Sequence, residues 1–150
     1  MAMQDEQRDF PQDKPTFTPA TLRCLLAILK LSQEKRQVAS RSIAQVLHVK
    51  PPSICRILEI LQQDGMIRKE PYGKVELTPK GIQTAAAWRG RIRRLQIVMM
   101  RQLGLGGEES LQAALYFATS MEEQSQLNMI AHAAAKRKGE DPVMPLSLAA

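Results

Sequence analysis

Leu22, Leu25, Leu26 and Leu29 recur at the three- and four-residue spacing of one helix face. Thr18 before Pro19 offers an N-cap followed by a first-turn proline, so a first helix is expected from there to about Ser32. Gln33 to Val38 is a polar break. A short second helix follows, capped by Ser40 or Ser42; Ser42 with Gln45 matches a capping box, and Ile43, Ala44 and Leu47 form its inner side. His48-Val49-Lys50 makes a turn. Pro51-Pro52 then opens a third helix, Ser53 to about Gln63, which Asp64-Gly65 ends. On this helix Ile54, Ile57, Leu58 and Leu61 share one face, whereas Pro52, Cys55, Arg56 and Glu59 point away.

After Gly65 the period changes to two. Met66 to Glu70 reads as a strand, Pro71-Tyr72-Gly73 as a turn and Lys74 to Leu77 as the return strand. Thr78-Pro79 repeats the cap-plus-proline start and opens a long helix through Trp88 to about Leu103. Gly104, Gly106 and Gly107 break it, and Glu108 and Glu109 fall in the first turn of the next helix, where acids complement the helix dipole. That helix holds Leu111, Ala114, Leu115 and Ala118; a last one is expected from about Glu122 to Lys138, ending at Gly139. The fold class is therefore mainly α with a small β-hairpin. The expected organisation is a flexible arm over 1–17, a winged helix-turn-helix over 18–81, a helical dimerisation region over 82–138 and a loose tail over 139–150.

Length and composition narrow the class. A chain of 150 residues can bury a real core without a disulfide or metal staple. Cys24 and Cys55 both sit in apolar-periodic segments, and two reduced, buried thiols are expected. The first residues are acidic and polar, without the hydrophobic run of a signal peptide. The longest apolar stretch, Ala113 to Ala118, is too short to cross a bilayer, so a cytoplasmic protein with no membrane partner is expected. Net charge is +6, but it is unevenly spread. Residues 1–20 carry −2, residues 21–81 carry +6, residues 82–103 carry +5 from five arginines and no acid, and residues 104–150 carry −3. A basic middle between acidic ends points to a polyanion, with nucleic acid first.

The order helix, helix, turn, helix, hairpin is that of a winged helix-turn-helix, whose third helix would enter a major groove. Pro51, Pro52 and Ser53 are small enough for close approach. Arg56, one turn further in, can reach a guanine edge or a phosphate, while Arg41, Lys50, Tyr72 and Lys74 complete the expected DNA-binding set. The rival from another class keeps the fold and turns the basic face to an acidic protein.

Two stretches carry a resemblance. Ser42-Ile43-Ala44-Gln45-Val46-Leu47 with Val49 to Leu58, and Glu70-Pro71-Tyr72-Gly73-Lys74-Val75-Glu76-Leu77-Thr78-Pro79-Lys80-Gly81, resemble the DNA-binding domain of the diphtheria-toxin-repressor/manganese-transport-regulator (iron-dependent repressor) family. The similarity extends more weakly over about residues 20–135. It implies a homodimeric repressor that binds a palindromic operator of double-stranded DNA through this helix pair, dimerises through its C-terminal helices and responds to Mn²⁺ or Fe²⁺. The ligands do not carry over. At the places where the family has carboxylates and imidazoles, this chain has Arg23, Leu26, Ile92, Leu115, Ala118 and Thr119. Hard divalent cations need oxygen and imidazole donors, so neither metal nor another cofactor is expected.

Other chemistry is weakly signalled. His48 and His132 lie far apart without acids or cysteines at ligand spacing, and Gly104 to Gly107 lacks the lysine and preceding strand of a phosphate loop. No nucleophile–base arrangement can be named, so an enzyme is not expected. Leu95, Val98, Met99, Leu111 and Leu115 exceed what a small DNA-binding domain needs, and are expected to bury against a second copy. A regulator sensing an organic ligand, or an oxidant through Cys55, stays open beside the metal-independent reading.

Overall fold

The computed structural model describes residues 17–137. The order is α1 (Pro19–Ser32), β1 (Val38–Ala39), α2 (Ser40–Leu47), α3 (Pro51–Gln63), β2 (Ile67–Glu70), a 3₁₀ turn (Pro71–Gly73), β3 (Lys74–Leu77), α4 (Pro79–Leu103), α5 (Gly107–Ser120) and α6 (Glu123–Arg137). The fold is mainly helical, as the periodicity implies. The expected arm over 1–16 and the tail over 139–150, with the helix end at Lys138, lie outside the described residues. Phe17 departs from its expected place in the arm: it is buried, and its ring meets Trp88 edge-on at 6.0 Å.

The starts of α1 and α4 follow their caps. Thr18 accepts a hydrogen bond from the Thr21 N–H and, through its own N–H, donates to Thr21 Oγ1, a reciprocal box in which threonine replaces the usual acid. Thr78 Oγ1 accepts from the Gly81 N–H at 3.0 Å and donates to the Gly65 carbonyl at 2.6 Å. The second helix begins differently from expectation. Its N-cap is Ala39, without any side-chain cap, so the Ser42–Gln45 box does not form. The reason is β1, a two-residue strand inside the expected polar break. It pairs antiparallel with β3, Val38 opposite Val75 and Ala39 opposite Lys74, so the helix starts directly from a strand. The sheet is therefore three-stranded in the order β1-β3-β2 rather than a simple hairpin.

One buried cluster joins α1 (Leu22, Leu25, Ile28), α3 (Ile54, Leu58, Leu61), the sheet (Ile67, Val75) and the later helices (Ile92, Leu95, Leu115). It crosses the expected boundary at 81/82 without a break. The expected dimerisation residues need correcting accordingly. Leu95 and Leu115 are 0% and 2% exposed inside one chain, Val98 and Met99 are also buried, and Leu111 is half-buried against the core. α4, α5 and α1 pack on one another and consume these side chains themselves. The apolar groups left exposed on this half are others, including Met100, Leu103, Tyr116 and Leu127.

The start of α4 is packed without slack. A Cβ built on Gly81 would lie 1.9 Å from the Met66 carbonyl oxygen, whereas one on Gly90 would meet nothing within 4 Å. Replacing Gly81 with alanine is expected to cost about 2–3 kcal/mol, because backbone must move to admit the methyl. Gly90→Ala, on an open helix face, is expected to stabilise by up to about 1 kcal/mol. Urea unfolding of both variants checks the pair, and equal shifts would contradict it.

Candidate nucleic-acid interface

The third helix divides as its sequence dictates. Ile54, Leu58 and Leu61 are buried and Ile57 is half-buried, while Pro51, Pro52, Ser53, Cys55, Arg56 and Glu59 are exposed. Lys50 is the extended N-cap residue, so α3 begins with a cation followed by two prolines that leave no N–H to satisfy. Before it, His48 takes a left-handed conformation (φ 54°), which turns the chain sharply from α2 into α3.

β1 fixes the wing against this helix pair. Ala39 opposite Lys74 ties the return strand to the residue that starts α2, and the wing's Gly73 comes so close that a Cβ there would lie 3.1 Å from Ser40 Oγ. Ser40 and Arg41 in turn line a cleft with Pro51 and Cys55 at the start of α3. Wing, α2 and α3 thus form a continuous surface. At the wing tip Tyr72 is fully exposed (101%) and left-handed (φ 67°), a conformation that costs a non-glycine residue on the order of 1 kcal/mol.

All eight expected DNA-binding residues, Arg41, Lys50, Pro51, Pro52, Ser53, Arg56, Tyr72 and Lys74, are exposed. Arg41 and Pro51 share the first cleft, and Lys74 lines a second; Lys50, Pro52, Ser53 and Arg56 line neither and stand free on the first turns of α3. The second cleft adds cations that sequence reasoning missed: Lys35, Arg36 and Arg68 join Lys74, against Glu70 and Glu76. Arg36 pairs with Glu76 at 2.5 Å, and the strand register sets Arg68 opposite Glu76 and Glu70 opposite Lys74. Their signal was the outward period-two position of Arg68. Lys35 and Arg36 come beside it only through β1.

Residues 17–75 match the family model described as the iron dependent repressor, N-terminal DNA binding domain. Over these residues the chain is similar to the DNA-binding domain of iron-dependent repressors. An uncharacterised HTH-type transcriptional regulator of Methanocaldococcus jannaschii is 27% identical over 77 residues, or 51% of this chain and 62% of that protein. The chain therefore spans less than two thirds of this curated relative. Among solved structures, the manganese regulator SloR is similar at TM-score 0.66 and 19% identity, covering 86% of this chain and 58% of SloR. IdeR of T. acidophilum matches at TM-score 0.58 and 24% identity, with 84% and 63% coverage. A hypothetical protein of Sulfolobus solfataricus matches over its whole length, with 85% of this chain, TM-score 0.58 and 16% identity. These likenesses establish the shared fold beyond the matched domain.

The positions at which the resemblance places metal ligands can be inspected for donors. Ile92, Leu115 and Ala118 belong to the apolar core, and Leu26 packs against it. Thr119 Oγ1 donates to the Leu115 carbonyl at 2.8 Å. Arg23 pairs with Glu108 at 2.5 Å, joining α1 to the first turn of α5. No carboxylate or imidazole occupies any of the six places, so these residues do not fit a hard divalent cation. A second guanidinium, Arg91, lies 4.7 Å above the Trp88 ring and pairs with Glu123 at 2.6 Å, joining α4 to α6.

The thiols also divide. Cys24 is buried, and desolvation pushes its pKa up to about 12, but Cys55 is exposed on α3, correcting the expectation of two buried thiols. With Ellman's reagent at pH 8, one thiol per folded chain is expected to react fast, and Cys55→Ser should abolish that phase while Cys24→Ser leaves it. Two equally fast thiols would contradict the burial of Cys24.

Proposed function

We propose that the chain is a homodimeric, sequence-specific, DNA-binding transcriptional regulator, acting by binding rather than catalysis. The observation that carries this reading is the continuous exposed surface from α3 through Arg41 to the wing, on the matched DNA-binding domain. α3 would lie in the major groove, with Ser53 and Arg56 reading base edges. Lys50, Lys74 and the wing cations Lys35 and Arg68 would meet phosphates and set the register. A second copy, joined through apolar groups left exposed on the C-terminal helices such as Met100, Leu103 and Tyr116, would place two recognition helices about 34 Å apart on a palindromic operator.

The test is selection of bound duplexes from random and genomic DNA, followed by titration of the recovered site. Arg56→Ala is expected to weaken that site by about 1–3 kcal/mol and to relax one base position. Lys74→Ala should weaken all sequences alike and reduce the salt slope by about one. Two chains should bind each recovered palindrome. Failure to discriminate any duplex from random DNA would favour the interaction-module reading.

Control of this binding should not involve the family's metals. Arg23, at one of those places, pairs with Glu108, and Arg91–Glu123 supplies a second charge pair between helices. Operator affinity is expected to stay within about threefold, or roughly 0.7 kcal/mol, after exhaustive chelation and after adding Mn²⁺ or Fe²⁺. A large metal-induced gain with stoichiometric cation bound would overturn this part alone.

A further inference from the structure

Two matched helix stripes face each other where the second half of α4 passes α6. On α4, Arg94, Ile97, Val98 and Arg101 follow one another at helical spacing; on α6, Ile130, Ala133, Ala134 and Arg137 do the same. They enclose a cleft of about 520 Å³, within the usual range for small-molecule sites. The middle of each stripe is apolar, and the two alanines leave the space. Both ends are cationic, and no acid among the described residues lines the cleft. None of the ion pairs among the described residues uses Arg94, Arg101 or Arg137.

We propose that this cleft binds a small amphipathic organic anion, with its apolar body between Ile97, Val98 and the two alanines and its carboxylate at one cationic end, on the guanidiniums of Arg101 and Arg137, where Lys136 Nζ meets Gln102 Oε1 at 3.2 Å. Charge selects this occupant over others. A second copy seated here by two-fold symmetry would bring its own guanidiniums against these, with no acid of the described residues between. Operator DNA is remote: the cleft begins some 13 residues, or about 20 Å, along α4 from Gly81, where that helix meets the wing strands. A fully polar anion would leave the apolar floor wet, and a neutral hydrocarbon would leave the cations unused. A guanidinium's planar fork matches a carboxylate in two parallel hydrogen bonds. The site is separate from the DNA-binding surface and its test involves no DNA, so either reading can fail alone.

The experiment is isothermal titration of the full chain with decanoate, decanol and decylamine, each kept below its aggregation threshold. Decanoate is expected to bind saturably at one site per chain, decanol at least tenfold more weakly and decylamine not at all. The double variant Arg101→Gln/Arg137→Gln should lose at least tenfold in decanoate affinity with an unchanged thermal midpoint. Ala133→Leu fills the floor while leaving every cation in place, and should also abolish binding, so the test survives if the double variant folds poorly. Absence of saturable decanoate binding, equal affinity for decanol, or parent-like binding by Ala133→Leu would overturn the proposal. So would sedimentation showing a dimer of the unliganded chain that Ala133→Leu dissociates, which would assign the cleft to a second copy.

Discussion

The carbonyl oxygen of Met66 is where the architecture is pinned. It accepts the Thr78 N–H at 3.0 Å, and α4 begins so close above it that position 81 has no room for a side-chain carbon. Thr78 adds a bond to the neighbouring Gly65 carbonyl, and Lys80 Nζ reaches the Asp64 carbonyl at 3.1 Å. Three consecutive carbonyls at the end of α3 are thus held by the start of α4. A shift of α4 there would leave the carbonyl of the buried Met66 without its partner, at a cost of about 1–3 kcal/mol. The recognition helix, the wing and the long helix consequently share one reference point.

The second constraint is the placement of β1. Two residues add few backbone hydrogen bonds, yet they decide how the wing relates to the helix pair. Their pairing with β3 brings the Lys35-Arg36 loop beside Arg68 and Lys74, and draws Gly73 against Ser40. Charge is managed within the same few residues: Glu76 is nearly buried and pairs with the exposed Arg36, so part of the positive charge beside the wing is offset at the surface. The remaining cations are left to solvent. A polyanion bound there, as proposed, would meet side chains that are already oriented by the sheet, which would reduce the entropy lost on binding.

Most of the helices were legible in the sequence because period and punctuation agreed. Thr18-Pro19 and Thr78-Pro79 mark helix starts that the caps confirm, and the α3 wheel sorts its buried and exposed residues correctly. What was not legible depended on tertiary pairing. Val38-Ala39 is too short to show alternation, so neither the third strand nor the loss of the Ser42 cap could be read. Leu95 and Leu115 are apolar at the right spacing, but spacing alone does not say whether the covering surface belongs to the same chain or another. Phe17 sits next to a polar, proline-containing segment, and only Trp88, seventy-one positions later, explains its burial. Of the site, the α3 face and Lys74 could be read locally, whereas Lys35 and Arg36 could be placed only by strand register.

The long helix has a mechanical consequence. With 25 residues at 1.5 Å rise, α4 is about 37 Å from end to end. Its first turn is clamped to the end of α3, and its far half carries α5 and α6. A rod fixed at one end converts a small rotation there into a large displacement at the other. Tilting by about 5° would move the tip by about 3 Å, most of a helical turn's rise, over that length. The relation also runs backwards: displacing the tip by that much would exert only a slight turn on α3. Ala85, Ile92 and Leu95 tie the rod to the shared core along its length, so such a tilt would have to carry α1 with it.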